Sequence, residues 1–437
     1  MSTVIFWFRN DLRLHDQLAL HAACAQGTQH LLPVLCLPDA DQDSGWGFAR
    51  MGPHRRAWWA DTVENLSRNL QKLGSSLLIC TEPAATALPA LARALGADRI
   101  VCEDIAAPEE QAQVDAVRAA GVQVQTVWQS SLLDPALLPW PVSQLPRVFT
   151  PFRQAVEKAD LRPAVPLPAP STLPPVPEAV PAEYLQAHTD ALAAFAGPHP
   201  ALDPRSAFPY QQPAQHGGEG AALAHLAQYL ARGLPTDYKR TRNGLMGMDY
   251  SSKWSPWLAS GALSPREAMA QLRQFEAEHG ASDGSYWLWF ELLWRDYFRF
   301  LHLQHGRALY RARGLGAPRD TPHDAARFDT WRAGNTGQPM VDAAMRELAA
   351  TGYLSNRLRQ VAASYLVNDL ACDWRAGAAW YEHHLVDYDV YSNQGNWLYI
   401  AGRGTDPQGG RRFNPVQQAS AYDPDGAYQR LWDTAGT

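Results

Sequence analysis

Four stretches in the second half of this 437-residue chain concentrate side chains that can do chemistry. The first is YKRTRNGLMG (238–247), which continues through Asp249 to Ser251, Ser252, Lys253, Ser255 and Pro256. Its glycines and Asn243 predict a loop, and Pro256 predicts the first turn of a short helix with Ser255 as N-cap. Hydroxyls, backbone N–H groups and an ammonium at a helix start make a phosphate cradle, because the first turn presents unpaired donors and partial positive charge. Ser264 and Pro265 open the next helix in the same way. Ordinary capping accounts for any one of these residues, less readily for Ser251, Ser252, Lys253 and Ser255 together.

The second stretch, WLWFELLWRDYF (287–298), places Trp287, Glu291 and Trp294 at i, i+4 and i+7, on one helix face. A carboxylate between two indoles on an apolar face is expensive unless it has a partner, either an arginine or a ligand. The indoles could stack a nucleobase. A lone Glu on a helix is usually solvated, and with flanking indoles both readings stand. The third stretch has Asn356, Arg357 and Arg359 opening a helix that ends near Asp373 and Trp374. The fourth, DYDVYSNQGNWLY (387–399), has Asp387, Asp389, Asn393, Trp397 and Tyr399, a set that suits polar contacts to the edge of a heterocycle. It also suits a polar loop, with the two carboxylates in structural ion pairs to Arg357 and Arg359.

The chain lacks H-E-x-x-H, Walker A, G-x-S-x-G and clustered Cys/His patterns, so metal-ion, NTPase and serine-hydrolase mechanisms lose support. A net charge of −6 argues against a protein that coats duplexes, yet permits a local basic groove. The five cysteines are scattered, without a C-x-x-C pair, and read as reduced thiols of a cytoplasmic protein. No stretch has the length of a signal peptide core or a membrane span. Ten of the 16 tryptophans follow residue 216, which fits either an aromatic core or a pocket for a planar ligand.

The elements that must hold these residues follow from periodicity. Apolar runs at Val4–Phe8, His30–Leu37, Ser76–Cys80, Arg99–Cys102 and Val122–Trp128 predict five strands. Helical patterns at Asp16–Ala25, His54–Leu73, Ala84–Leu95 and Glu109–Ala119 alternate with them, which predicts a doubly wound parallel sheet. No G-x-G-x-x-G follows the first strand, so the usual dinucleotide fingerprint is missing. The stretch RPAVPLPAPSTLPPVPEAVPAEY (162–184) predicts a semi-rigid connector laid over the surface. Beyond GGEG (217–220) the pattern is helical almost to the end. The expected organisation is an α/β domain over 1–130, a Pro-rich interdomain connector over 131–215 and an all-α domain over 216–437.

These motifs, in this order, resemble the photolyase/cryptochrome family over nearly the whole chain. FWFRNDLRLHD, GPHRRAWW and LPRVFTPFR look like its amino-terminal antenna domain. TRNGLMGMDYSSKWSPWLASGALSPR, FELLWRDYFRF, GNTGQPMVDAAMRELAATGYLSNRLRQ and LVDYDVYSNQGNWLY look like its FAD domain, and TRNGL and the NWLY ending are similar to the cryptochrome DASH branch. The resemblance implies that Tyr238, Ser251, Ser252, Lys253 and Ser255 contact FAD, mainly its diphosphate and ribityl region. It implies that Asn356, Arg359, Asp387, Asp389 and Asn393 line the flavin, with Arg359 paired to Asp387 and Asn393 facing N5. Glu291 would hydrogen-bond a pyrimidine dimer held by Trp294 and Tyr399, while Arg242 and Arg357 would contact DNA phosphates. Trp397 and Trp374 would pass electrons to the flavin. Asn356, Asn393, Glu291 and these two tryptophans form the implied catalytic set. The antenna pigment implied by branch is 5,10-methenyltetrahydrofolate, sought along CEDIAAPEE (102–110) with Glu109 as a contact.

The implied activity is blue-light repair of cyclobutane pyrimidine dimers in single-stranded DNA, by a cytoplasmic monomer, with RNA as an alternative ligand. The alternative is a blue-light photoreceptor that binds DNA or a partner and signals without repair. Glu291, Trp294, Tyr399 and the short tail after LWD (431–433) lean toward repair. Three positions depart from family patterns. A gapless count puts the outer electron-relay tryptophan at Thr321. Tyr399 stands where duplex-repairing relatives carry Trp. Ser355 and Asn356 stand where the (6-4) branch carries a His pair.

Overall fold

The computed structural model describes residues 2–25, 27–180, 188–317, 321–405 and 410–433. β1 (Ser2–Phe8), β2 (Thr28–Cys36), β3 (Leu78–Cys80), β4 (Arg99–Glu103) and β5 (Val124–Val127) form a parallel sheet in the order β3-β2-β1-β4-β5. Each boundary lies within two residues of the run that predicts it. β1 is apolar throughout because both of its faces are covered, as parallel sheets require. Val4, Phe6 and Phe8 pack on one face with Ala19 and Leu20 of α1 (Leu18–Ala23) and with Val63, Leu66 and Leu70 of α2 (Pro53–Lys72). Ile5 and Trp7 pack on the other with Leu88 of α3 (Ala84–Leu95) and Val114 and Val117 of α4 (Pro108–Ala119).

The proline-rich segment runs over this domain without regular structure to residue 180, tied by Asp16 N to Leu167 O (2.7 Å) and Leu31 N to Pro175 O (3.1 Å). Residues 181–187, where the motif continues, lie outside the described residues. The span 131–215 is not purely irregular: it contains α5 (Phe149–Lys158) and a helix at His188–Ala196. Beyond Gly218 the chain is helical, with the long Asp283–His305 helix opened by a Ser282–Ser285 capping box. Among the described residues no helix is long and apolar enough to cross a membrane.

The loop after β1 docks the helical half onto the sheet. Arg13 donates to Gly261 O (2.9 Å), Leu12 N to Ser260 O (3.2 Å), and the backbone N–H groups of Leu14 and His15 to the Glu219 carboxylate (3.1 and 2.8 Å). Gly261 has φ +73°, and a Cβ there would sit 2.1 Å from Asn10 O, so only glycine fits this crossing. A second bridge joins Arg50 to Glu382 (2.9 Å) of the Trp374–His384 helix and to Glu109 (2.5 Å) of α4. Beside it, Gly52 N donates to His383 O (2.8 Å).

Ser255 does not cap its helix. Trp254 takes the N-cap position of Ser255–Ser260, with no side-chain cap, and the Ser255 hydroxyl donates instead to Asp387. Lys253, two residues before Ser255, has a left-handed φ of +56°. Ser264 does cap, accepting from Arg266 N and Glu267 N.

His384 is buried at the end of its helix against Trp380 (4.4 Å between rings) and His383 (4.6 Å), with neither ring nitrogen hydrogen-bonded to a described residue. Burial, and then the neighbouring His383 and His54, push its pKa well below 6.5. The folded state therefore holds the neutral ring while the unfolded chain takes up a proton near its ordinary value. The stability from this site is present above about pH 6.5 and lost as pH falls below it. Comparing His384→Leu with the unsubstituted chain cancels the other titrating groups. Melting temperatures from pH 7.5 down to 5.5 should shift in favour of the variant; a constant difference between the two proteins would contradict the assignment.

Candidate functional site

The cavity that matters is formed by the Asn356–Asn368 and Val390–Ile400 helices and the loop before the latter. It opens to solvent. Asn356, Arg359, Tyr381, Asp387, Asn393 and Trp397 line it. Five of these six are sequence candidates; Tyr381 is not.

Asp387 anchors the wall. Its Oδ2 accepts from Arg359 Nη2 (2.8 Å) and from the Ser255 hydroxyl (2.7 Å), while its buried Oδ1 has no partner among the described residues. Lys253 lies close by with Nζ over the rings of Tyr250 (3.5 Å) and Tyr353 (4.7 Å), buried and without a hydrogen-bond acceptor among the described residues. Burial drives its pKa well below the usual ammonium value; Glu347, itself buried and pushed up to about 8, acts in the opposite direction. Native proteins rarely leave such groups unsatisfied. An orphaned ammonium, an orphaned carboxylate oxygen and the hydroxyls of Ser251 and Ser252 on the same loop fit a large polar ligand with an anionic portion. Tyr238 is buried farther along, near Glu291, whose charge adds to burial in raising the phenol's pKa.

Asp389 is engaged differently. It caps the Val390–Ile400 helix through Tyr391 N (3.3 Å) and takes Arg299 on both guanidinium nitrogens (3.0 and 3.3 Å). Burial opposes its charge, but Arg299 and Arg295 hold its pKa below the ordinary value. Asn393 Nδ2 donates to Ala378 O (3.1 Å). Trp397 packs edge-on against Tyr381 (5.1 Å) and Trp331 (6.5 Å) and fills space that only a glycine leaves. A Cβ on Gly377 would sit 2.2 Å from its ring. Trp374 is buried in the same core cluster, with Nε1 donating to Ala312 O (3.0 Å).

A second face adjoins the cavity through Tyr399, on the same helix as Asn393 and Trp397. Its ring meets Trp294 edge-on (6.1 Å), and its hydroxyl accepts from Arg411 Nε (2.7 Å). Trp294 is stacked flat on Phe149 of α5 (3.8 Å, 11°). Glu291 pairs with Arg242, whose guanidinium also lies over Trp287 (5.2 Å). A third of the Glu291 side chain is open to solvent (33%), yet its surroundings desolvate it enough to raise its pKa, against the pull of Arg242. Arg357 donates to Asn243 Oδ1 (2.9 Å) and lies over Tyr422 (4.6 Å). Glu109 stands apart: its side chain is exposed (66%) and its carboxylate is paired to Arg50. Phe149 was signalled only by LPRVFTPFR, a motif that gives no hint of the ring it covers.

Comparison with known proteins fixes the family. Residues 4–171 match the DNA photolyase model, and residues 287–434 match the FAD binding domain of DNA photolyase. The chain is 43% identical to Cryptochrome DASH of Xenopus laevis over 98% of its own length and 82% of that protein. Among solved structures, a cryptochrome from Synechocystis superposes with a TM-score of 0.90 at 41% identity, covering 99% of this chain and 88% of the other. A class III photolyase from Agrobacterium tumefaciens superposes at 0.80 and 29% identity, covering 99% and 86%. The chain therefore belongs to the photolyase/cryptochrome family, among the cryptochrome DASH proteins, and is a flavoprotein of that family built on an α/β domain and a helical FAD-binding domain.

Proposed function

We propose that this protein repairs cyclobutane pyrimidine dimers in single-stranded DNA under blue light. The carrying observation is the position of Glu291, a carboxyl of raised pKa between indoles, beside a cavity that fits FAD. Ser251, Ser252, Lys253 and Ser255, with Tyr238 nearby, would hold the diphosphate and ribityl region. Arg359 and Asp387 would hold the ring system's polar edge, with Asn356, Asp389 and Asn393 completing the wall. Bound and reduced, FAD supplies the light-driven electron; the protein holds donor and acceptor close, dry and oriented.

Glu291 is suited to donate a hydrogen bond to a pyrimidine carbonyl because burial favours its protonated form. Trp294 and Tyr399 offer aromatic surfaces meeting at an angle, between which a flipped-out dimer would seat. Extruding the dimer from a duplex costs stacking and pairing energy that a single strand has largely lost, which favours the single strand. Arg242 and Arg357 flank this face and would take backbone phosphates. An antenna of 5,10-methenyltetrahydrofolate would lie along Cys102–Glu110, at the carboxyl end of β4 where ligands of such sheets bind. Glu109 would contact it only after leaving Arg50.

Three experiments test this reading. The reduced protein illuminated with dimer-containing oligothymidine should restore ultraviolet absorbance, faster for single strands than for the duplex. Absence of dimer loss would leave the signalling alternative. Glu291→Ala should keep its FAD yet lose repair by about tenfold or more; unchanged repair would make Glu291 structural. Lys253→Met separates ligand binding from stability. Without FAD the variant should be more stable by about 1–3 kcal/mol, the cost of a buried unsatisfied polar group. Its FAD dissociation constant should rise at least about tenfold. Unchanged FAD retention in Lys253→Met would remove Lys253 from the site.

A further inference from the structure

We propose that Cys36 and Cys80 form a reversible disulfide site at the edge of the sheet, which a hydroperoxide closes and a small thiol reopens. β2 and β3 run parallel, and these two cysteines are their last residues, paired in register. Neighbouring strands lie about 4.8 Å apart, inside the window of about 4.4–6.8 Å between Cα atoms that a disulfide needs. Residues in register on parallel strands also point to the same face. Val34 and Leu78, two positions earlier on each strand, lie in the cluster that holds Ile5 and Trp7, and Cys36 and Cys80 pack against that same cluster. Both thiols are free and half-buried, so they are supported from beneath and solvent reaches this end of the strand pair.

The fold gives such a bond something to hold. β3 is the edge strand of the sheet and only three residues long. It is joined to β2 by three register pairs, and Leu37 N donates to Cys80 O (2.8 Å) just beyond them. A strand this short contributes few ladder hydrogen bonds of its own. The chain leaving Cys36 leads to Arg50, which bridges to Glu382 and Glu109. A bond between the two cysteines would pin the edge strand and the root of that segment together.

The two thiols are not equivalent. Cys36 hydrogen-bonds to Cys80, which holds the Cys80 thiol below its ordinary pKa against burial and the charge of Glu82. The same contact, together with burial, raises Cys36. Cys80 is therefore the attacking sulfur and Cys36 the resolving one, because the thiolate is the nucleophile. The other three cysteines lack this arrangement. Burial pushes Cys24 up to about 11 and Cys102 up to about 12, and it raises Cys372. Cys102 stands in register with Trp7 and Thr126, neither of which carries a thiol.

The atoms balance with one hydroperoxide per bond. The Cys80 thiolate attacks one peroxide oxygen, the O–O bond breaks, and water leaves with the proton that the thiol gave up. The product is a sulfenic acid. Cys36 then attacks the sulfenyl sulfur; its S–H proton departs with the hydroxyl as a second water, and the S–S bond forms. The two thiols lose two electrons and the peroxide takes up both. Two molecules of a small thiol reverse the bond by exchange and leave as one disulfide.

The test uses the full-length protein and hydrogen peroxide. Two of the five thiols should be lost and both recovered with dithiothreitol. Fragmentation of the unreduced peptides should place the cross-link between Cys36 and Cys80. Cys36→Ser should stop at a Cys80 sulfenic acid that dimedone labels, and Cys80→Ser should react at least about tenfold more slowly than the unsubstituted chain. The oxidised chain should melt at a higher temperature than the reduced one, because the bond closes a loop in the unfolded state, with no such shift in Cys80→Ser. A cross-link to Cys24 or Cys102, or five thiols still intact when a small thiol in the same solution is oxidised, overturns the site. Equal rates in the two serine variants overturn the order of attack.

Discussion

The buried carboxylate of Asp387 is the interaction on which the cavity depends. Taking a carboxylate out of water costs several kcal/mol unless partners replace the lost hydration. Here the partners come from separate segments: Arg359 from one helix and Ser255 from the start of another. Val386 N, one residue before, donates to Gly352 O (2.9 Å) and fixes the loop. Moving any of these segments would strand a charge, so their relative positions are set together. The network is nevertheless incomplete, with Asp387 Oδ1 and Lys253 Nζ lacking partners among the described residues. Two such buried polar atoms, one of them on the cavity wall, are what a bound polar ligand would satisfy.

The helical half does not position this site alone. The RNDLRLHD loop (9–16) buries Asp11, Arg13, His15 and Asp16 at the junction, where Arg266 also pairs with Asp16 (2.8 Å). The loop at the carboxyl end of β1 is here given over to docking the second domain. The Arg50 bridge does the same on the other side, tying α4 and the Trp374–His384 helix to one guanidinium. That helix supplies Tyr381 to the cavity and Gly377 to the space beneath Trp397, so docking and cavity shape are mechanically linked.

Much of this architecture was legible in the sequence, because alternating and helical periodicities report which face of an element is buried. They do not report what covers that face. Trp294 was a candidate from its spacing, but its stacking on Phe149 joins positions far apart in the chain, and no local pattern encodes it. Ser255 looked like an N-cap because Pro256 follows it; the helix instead starts at Ser255 itself, and the hydroxyl is bonded to Asp387, a partner 132 residues away that no local pattern reports. Trp331 was hidden among the many aromatic residues of the helical half. Its place beside Trp397 follows only when helices Ala325–Arg332 and Val390–Ile400 are packed together.

The Arg242–Glu291 pair connects these structural constraints to the proposed chemistry. The pair is partly open to solvent, 23% for the arginine side chain and 33% for the glutamate, so screening keeps it weak. Burial nonetheless raises the pKa of Glu291, against the opposing pull of Arg242 and of Trp287. A nucleic-acid phosphate competing for Arg242 would therefore do two things. It would uncover the carboxyl, and it would raise the carboxyl's pKa further by removing the charge that lowers it. On the proposed reading, the backbone contact that positions the strand is also what prepares Glu291 for the base, with no conformational change larger than one arginine side chain.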